Sequence, residues 1–208
     1  TACLYPRVVE DALYDLALAG VSRVEIFINS HSELRRNFVD AMAQLMHRFE
    51  MTCCSLHPYT CEIEPIMLFS NYPRRVDDYL DYFTAMQQLG AKIFVLHGNK
   101  VPAASVNVEL YVERFQRLAD LGKSYGVVVA QENVARCTGA SLNFLVQMKQ
   151  ALGKDASFVL DIKQAVRAGE NPFTMLRALG SSIVHVHMSD HGEYGDCLLL
   201  GRGYFRWE

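Results

Sequence analysis

No run of uncharged apolar residues in this 208-residue chain approaches the roughly 18 that a membrane-spanning helix needs. The opening Thr1-Ala2-Cys3-Leu4-Tyr5-Pro6 is too short for a secretory signal. Excess positive charge is also lacking: 20 Lys and Arg face 23 Asp and Glu, a formal net charge of -3, and the isoelectric point is near 6.1. No basic field is therefore available to hold a phosphate backbone. The six cysteines, at 3, 53, 54, 61, 137 and 197, include no Cys-x-x-Cys pair, which argues for thiols in a reducing compartment rather than a disulfide scaffold. Cys53, Cys54, His57 and Cys61 cluster, but a structural zinc usually takes two separated pairs, and vicinal cysteines in an apolar stretch read as packing. The expectation is a soluble, cytoplasmic protein whose partners are neither membranes nor nucleic acid.

What is present is apolar and regular. Half of the residues are hydrophobic and 21% are charged, enough to bury one sizeable core and too apolar for disorder. Short β-branched runs alternate with longer stretches of helical period almost from end to end. Strands are predicted at 23–28, 51–56, 92–96, 127–131, 157–160 and 183–188, with a shorter apolar start at 2–4. Between them, apolar residues recur at three and four, as in Leu34, Phe38, Met42, Leu45 and Phe49, or Val108, Val112, Phe115, Leu118 and Leu121. Ser32 is placed to cap the second helix and Asn107 the fourth, while Asn171-Pro172 opens the sixth. Gly20, Gly90, Gly126, Gly153 and Gly180 each stand shortly before a strand, where glycine closes the preceding helix.

This repeat gives parallel strands joined by right-handed crossovers, with no linker to divide the chain. A doubly wound open sheet and an eight-stranded (β/α) barrel both satisfy the periodicity. The strand ends favour the barrel. Asn29 and Ser30, His57, His97, Glu132 and Asn133, Asp161, and His185 with His187 end successive strands, and only a barrel brings every strand end to one mouth. No Gly-x-Gly-x-x-Gly follows the first strand, as a dinucleotide-binding sheet would require. The fold class is thus α/β, a TIM barrel in one domain over residues 1–208. A barrel has eight strands and about 250 residues, so the chain is expected to lack the last strand and helix, and to be a few residues short at its start.

Glu132 and Asp161 follow apolar strands in Val-Val-Val-Ala-Gln-Glu-Asn and Phe-Val-Leu-Asp. Carboxylates so placed must be solvated, paired or metal bound. Adjacent strands lie about 5 Å apart, close enough for the two to share a divalent cation that also offsets their repulsion. In Val-His-Val-His-Met, strand alternation sends His185 and His187 to one face, with His187 nearer the mouth as a ligand and His185 one layer deeper. His57 and His97 stand where substrate hydroxyls or a second metal would bind. Lys163, Gln164, Arg136, Lys100 and Arg202 lie in loops where an anionic group would be held. Asp190, His191, Glu193 and Asp196 form an acidic loop, in which Asp190 is near enough to His187 to orient it. Gly201-Arg202-Gly203 reads as a turn. Residues 59–72, with Ile66, Met67, Leu68 and Phe69, read as a lid or as cover for a second copy.

The motifs Gln131-Glu132-Asn133, Leu160-Asp161-Ile162-Lys163-Gln164 and His185-Val186-His187-Met188-Ser189-Asp190 together resemble the xylose isomerase-like barrels. That family includes sugar and sugar-phosphate isomerases and epimerases, and AP endonucleases of the endonuclease IV type. The resemblance implies one divalent ion (Mn, Mg, Co or Zn) held by Glu132, Asp161 and His187, with a fourth ligand, a glutamate on an eighth strand. It also implies Glu132 as the acid–base residue, and His57, His97, Gln164, Lys163 and His185 as candidates to bind a small sugar or sugar phosphate. The chain departs from the family at Gln164, where many members carry histidine, and at Glu193, where the epimerase type carries arginine. Cys197-Leu198 stands where the nuclease branch has Asp-x-His. Gln164 and Cys197-Leu198 leave too few ligands for a three-zinc cluster. The function implied is a metal-dependent isomerase or epimerase working through an enediolate. The alternatives are a zinc AP endonuclease, a cyclic polyol-ketone dehydratase, and a barrel that binds a sugar or partner without turnover.

Overall fold

Alternating strand and helix signals resolve into parallel α/β structure in the computed structural model, which describes residues 1–58, 76–100 and 102–207. The chain forms two compact units, Thr1–Leu96 with Arg117–Val129, and His97–Gln116 with Ala130–Glu208. In the first, β1 (Arg23–Phe27), β2 (Thr52–His57) and β3 (Ile93–Leu96) are parallel, each beside its neighbour in sequence. The start of β4 (Val128–Glu132) joins them, Val128 N–H donating to the Lys92 carbonyl at 2.8 Å. In the second, β4, β5 (Phe158–Asp161) and β6 (Ile183–His187) continue in the same parallel, sequential manner. Sequential order without a reversal is the progression of a barrel and excludes the doubly wound order. Among the described residues, no helix is long and apolar enough to cross a membrane.

The helices form where the period predicts them: α1 (Val9–Leu18), α2 (Arg36–Arg48), α3 (Asp78–Leu89), α4 (Val108–Ser124), α5 (Leu142–Leu152), α6 (Ile162–Arg167) and α7 (Pro172–Leu179). Asn107 caps α4 by accepting from Leu110 N–H at 2.9 Å, and Asn171 caps α7 by accepting from Phe173 and Thr174 N–H. All five glycines expected to close helices have positive φ. Within the first unit, α3 buries Tyr79, Tyr82, Phe83, Met86 and Leu89 at spacings of three and four. Three of its rings meet Phe94 of β3 edge-on, at centroid distances of 5.4 to 5.8 Å, the arrangement that aromatic quadrupoles favour.

Three expectations are corrected. Residues 2–4 are a 3-10 turn, not a strand: Leu4 and Tyr5 N–H donate to the carbonyls of Thr1 and Ala2, a local closure that leaves those groups unavailable to a ladder. Ser32 does not cap the second helix, because His31–Leu34 forms its own 3-10 turn and α2 begins after Arg35. The acidic loop is an ordered hairpin, β7 (Asp190–Gly192) against β8 (Gly195–Leu198). Asp190 does not orient His187; its buried carboxylate accepts from the N–H groups of His191, Gly201 and Phe205 and from Trp207 Nε1. The turn at 201–203 is as expected, and Gly203 is obligatory there. A Cβ would lie 2.3 Å from the His191 carbonyl and 2.4 Å from Asp190 Oδ1. The segment 59–72 with its apolar residues, and Cys61, lie outside the described residues.

Two measurements test these packing arguments. Phe94→Ala removes the ring that three others contact and is expected to lower unfolding free energy by about 3–5 kcal/mol in urea titrations; a change under about 1 kcal/mol would mean that the cluster is loosely packed. Burial alone would raise the Asp190 carboxyl, but hydrogen bonds from Trp207, His191, Phe205 and Gly203 outweigh it and hold it at about 2, below its ordinary 3.8. A carboxylate depressed on folding contributes stability that is present above its unfolded value and lost as pH falls through the folded one. The fluorescence of Trp207, the single tryptophan, should therefore hold down to pH 3.8 and change as pH falls through about 2. Asp190→Asn should show the altered emission at neutral pH, since an amide nitrogen accepts no hydrogen bond.

Candidate metal centre

Glu132 ends β4 after the apolar run Val127 to Ala130 and is only 2% exposed. A buried carboxylate needs partners, and each of its oxygens has one. His187 Nδ1 lies 3.0 Å from Oε1, and His97 Nε2 lies 2.9 Å from Oε2. Asp161 ends β5 directly opposite His187 on β6 and divides its own carboxylate between two tasks. Oδ1 caps α6 by accepting from Gln164 N–H at 2.8 Å, and Oδ2 lies 3.4 Å from His187 Nδ1. One ligand atom from each of Glu132, Asp161 and His187 thus falls within 4.8 Å of the others.

The donor set fits a divalent cation. Two carboxylate oxygens and an imidazole nitrogen suit Mg, Mn, Co and Zn, and two buried anions this close repel unless a positive charge offsets them. The Cys53 thiol is unsuited to the task. Cys53 is buried, its S–H donates to the Ser55 carbonyl, and burial pushes it up to about 12, where no thiolate forms near neutral pH.

The remaining expected residues fall in different places. His97 is part of the centre, on Glu132, and His185 stands edge-on to the His187 ring at 5.1 Å. Gln164 turns its carbonyl oxygen to Ala135 N–H at 3.1 Å, holding the loop after β4. Lys163 lies close enough to Asp196 to help hold that carboxyl below its usual range, behind the larger effect of the Arg167–Asp196 hydrogen bonds. His57 belongs to the first unit, buried against Phe27 with Nδ1 3.1 Å from the Pro58 carbonyl. Arg136 lines a cavity of about 380 Å³ with Glu170 and Ser141; there Glu170 and Ser141 take the α5 N–H groups that an anion would need.

Two residues given no role of their own from the sequence, Gln131 as the flank of a motif and Asn133 as a polar strand end, have more specific positions. Gln131 and Asn133, on either side of Glu132, are both buried and both hydrogen-bonded to the backbone of other site residues. The signal in sequence was there, a pair of amides bracketing a carboxylate at the end of an apolar strand. Their partners, however, are set by strand register.

The comparisons agree with this architecture. Among curated proteins, the chain is 25% identical over 213 residues to the uncharacterized protein ML2432 of Mycobacterium leprae, covering 91% of this chain and 72% of that one. Among solved structures, it superposes on a D-allulose 3-epimerase from Methylomonas sp. in complex with D-allulose with a TM-score of 0.73 at 18% identity, covering 94% of this chain and 69% of the other. The probable 3-DHS dehydratase of petrobactin synthesis from Bacillus anthracis gives 0.75 at 11% identity, with coverages of 91% and 70%. At these identities the structures establish the fold. The model of a family described as xylose isomerase-like TIM barrel matches residues 13–208, and with six sequential parallel strands and their helices in place, the chain belongs to that family.

Proposed function

We propose that the protein is a divalent-metal-dependent isomerase or epimerase of a sugar or sugar phosphate, with Glu132 as the residue that moves the proton. The observation that carries this reading is the convergence of Glu132, Asp161 and His187 ligand atoms within 4.8 Å at the ends of β4, β5 and β6. Similarity in fold to a D-allulose 3-epimerase supports the reaction class.

Asp161 and His187 would hold the cation together with Oε1 of Glu132. When bound, that cation polarises the substrate carbonyl and stabilises the negative charge that develops on its oxygen. Glu132 removes a proton from the carbon beside the carbonyl, and the C–H electron pair becomes the double bond of the enediolate. Return of the proton to the neighbouring carbon, with the hydroxyl proton passing from one enediolate oxygen to the other, completes an aldose–ketose isomerisation with one carboxylate. Epimerisation takes a second acid on the opposite face, the role that the family resemblance gives to a glutamate on an eighth strand. The two oxygens of Glu132 divide the work. Oε1 faces His187 and hence the cation side, whereas Oε2 faces His97, so the substrate C–H approaches Oε2 and His97 keeps that oxygen oriented. Loss of a hydroxide from the same enediolate would give dehydration, the reaction named for the probable dehydratase of like fold.

Metal content per chain, measured by mass spectrometry after reconstitution, is expected to be about one divalent ion in the wild type and to fall sharply in Asp161→Asn. Near three zinc ions would favour an endonuclease IV-type nuclease, and none in the wild type would remove the metal mechanism. On a sugar or sugar phosphate found by screening, Glu132→Gln is expected to lower turnover about 10²- to 10⁴-fold and to stop deuterium uptake from solvent at the reacting carbon. Full turnover in that variant would sink the assignment.

A further inference from the structure

We infer that the side-chain amides of Gln131 and Asn133 are positioning residues that stitch three neighbouring strand ends together from the outer face, setting where His97, Glu132 and Asp161 stand; the inference rests on the metal-centre reading above. Strand alternation places Glu132 on one face of β4 and its two neighbours on the other. The contacts agree, since both amides meet the helix layer. Gln131 Oε1 accepts from Tyr111 of α4 at 2.6 Å, and Asn133 Nδ2 lies 3.8 Å from Met175 Sδ of α7.

That layer is ordinarily apolar, yet Gln131 is 0% and Asn133 1% exposed. Each must therefore satisfy its amide internally, and each does so on the main chain of the site. Gln131 Nε2 donates to the carbonyls of His97 and Glu132, both at 2.9 Å. Asn133 accepts from Asp161 N–H at 2.6 Å and donates to the Asp161 carbonyl at 2.9 Å. The second pair imitates one rung of a parallel ladder just where the β4 strand has ended. An amide carries the donor and the acceptor that this takes on two separate atoms.

The surrounding backbone is shaped to admit the stitch. Gly98 has φ of +79°, and a Cβ there would lie 2.1 Å from the Tyr111 hydroxyl and 3.3 Å from both ends of the Gln131 amide. At Gly139 a Cβ would lie 2.6 Å from the Glu132 carbonyl and 3.0 Å from Gln131 Nε2. Two glycines from separate loops thus leave the space that Gln131 and its partners occupy. The division of labour is specific: Gln131 governs the placing of His97 against Glu132, and Asn133 governs the placing of Asp161 against His187.

The test uses Gln131→Met and Asn133→Leu, which remove the hydrogen bonds without adding charge, beside a first-unit core truncation such as Met42→Ala matched for loss of melting temperature. If either variant fails to fold, Tyr111→Phe and Asn133→Ser, which weaken the same contacts, replace them. Two quantities are read: Mn²⁺ affinity by calorimetry, and the imidazole ¹⁵N signals of His97 and His187 in the metal-free protein. Affinity is expected to fall about 10- to 100-fold in both variants and to stay within twofold in the control. The His97 signal should move in the Gln131 variant and the His187 signal in the Asn133 variant. Wild-type affinity and unshifted imidazole signals in variants that are merely less stable would overturn the inference. Should the wild type bind no Mn²⁺ while the imidazole signals still move as stated, the stitch stands and the metal reading falls.

Discussion

The buried carboxylate of Glu132 is the constraint on which the second unit is organised. An ionised acid that is 2% exposed is tolerated only when its charge is met by hydrogen bonds or opposite charge within a few ångströms. The chain answers with one imidazole per oxygen, His97 from the end of β3 and His187 from the end of β6. His187 in turn sits between Glu132 and Asp161. His97, Glu132, Asp161 and His187 are thereby drawn to one small volume, and the contacts that make Glu132 tolerable are those that orient it.

Asp161 links this volume to the local fold. A residue that ends a strand and begins a helix has one carboxylate oxygen over the first helical turn, where it accepts Gln164 N–H, a common N-cap geometry. Its second oxygen then points along the strand end toward His187. The helix start fixes the rotamer, so the ligand atom is set before any cation arrives. Preorganisation of this kind, on strands and helix starts rather than on long loops, keeps a centre within the tolerance that metal binding needs.

What was legible in the sequence is what depends on short-range chemistry. Strand and helix periods, the caps at Asn107 and Asn171, and the helix-closing glycines all follow from neighbours a few residues away, and so did the three candidate ligands, each polar at the end of an apolar run. Residues 2–4 were misread because three apolar residues carry no period, and whether they pair or close on themselves is decided by hydrogen bonds to Thr1 and Ala2. Asp190 was misread for the opposite reason. Its partners at 201, 205 and 207 come from a turn that brings back the chain, so an acid three residues from His187 was assigned to that ring when it is the acceptor around which the C-terminal segment is wound. Gln164 is near the site in sequence, and its carbonyl oxygen meets Ala135 N–H, a partner that the fold and not the neighbouring sequence supplies.

The inner and outer faces of β4 carry different kinds of polar residue, and the reason lies in what each face must leave available. Under the proposed function, inward groups present ligand and acid–base atoms, so any hydrogen bond among them that locked the backbone would also occupy the atoms that this chemistry uses. The outer face has no such duty, and an amide there can use both of its ends on the main chain. Asn133 does so, and Gln131 places its nitrogen on two main-chain carbonyls while its oxygen takes the Tyr111 hydroxyl, at the cost of burying polar groups in a layer that would otherwise be apolar. Buried, fully satisfied amides are less forgiving of displacement than apolar side chains, because a shifted partner leaves a donor or acceptor unmet at about 1–3 kcal/mol. A methyl group that slides by half an ångström loses far less. Register at the end of β4 is therefore held by contacts that fail sharply when misaligned, which is the property required where carboxylates on neighbouring strands must stand within a few ångströms of each other.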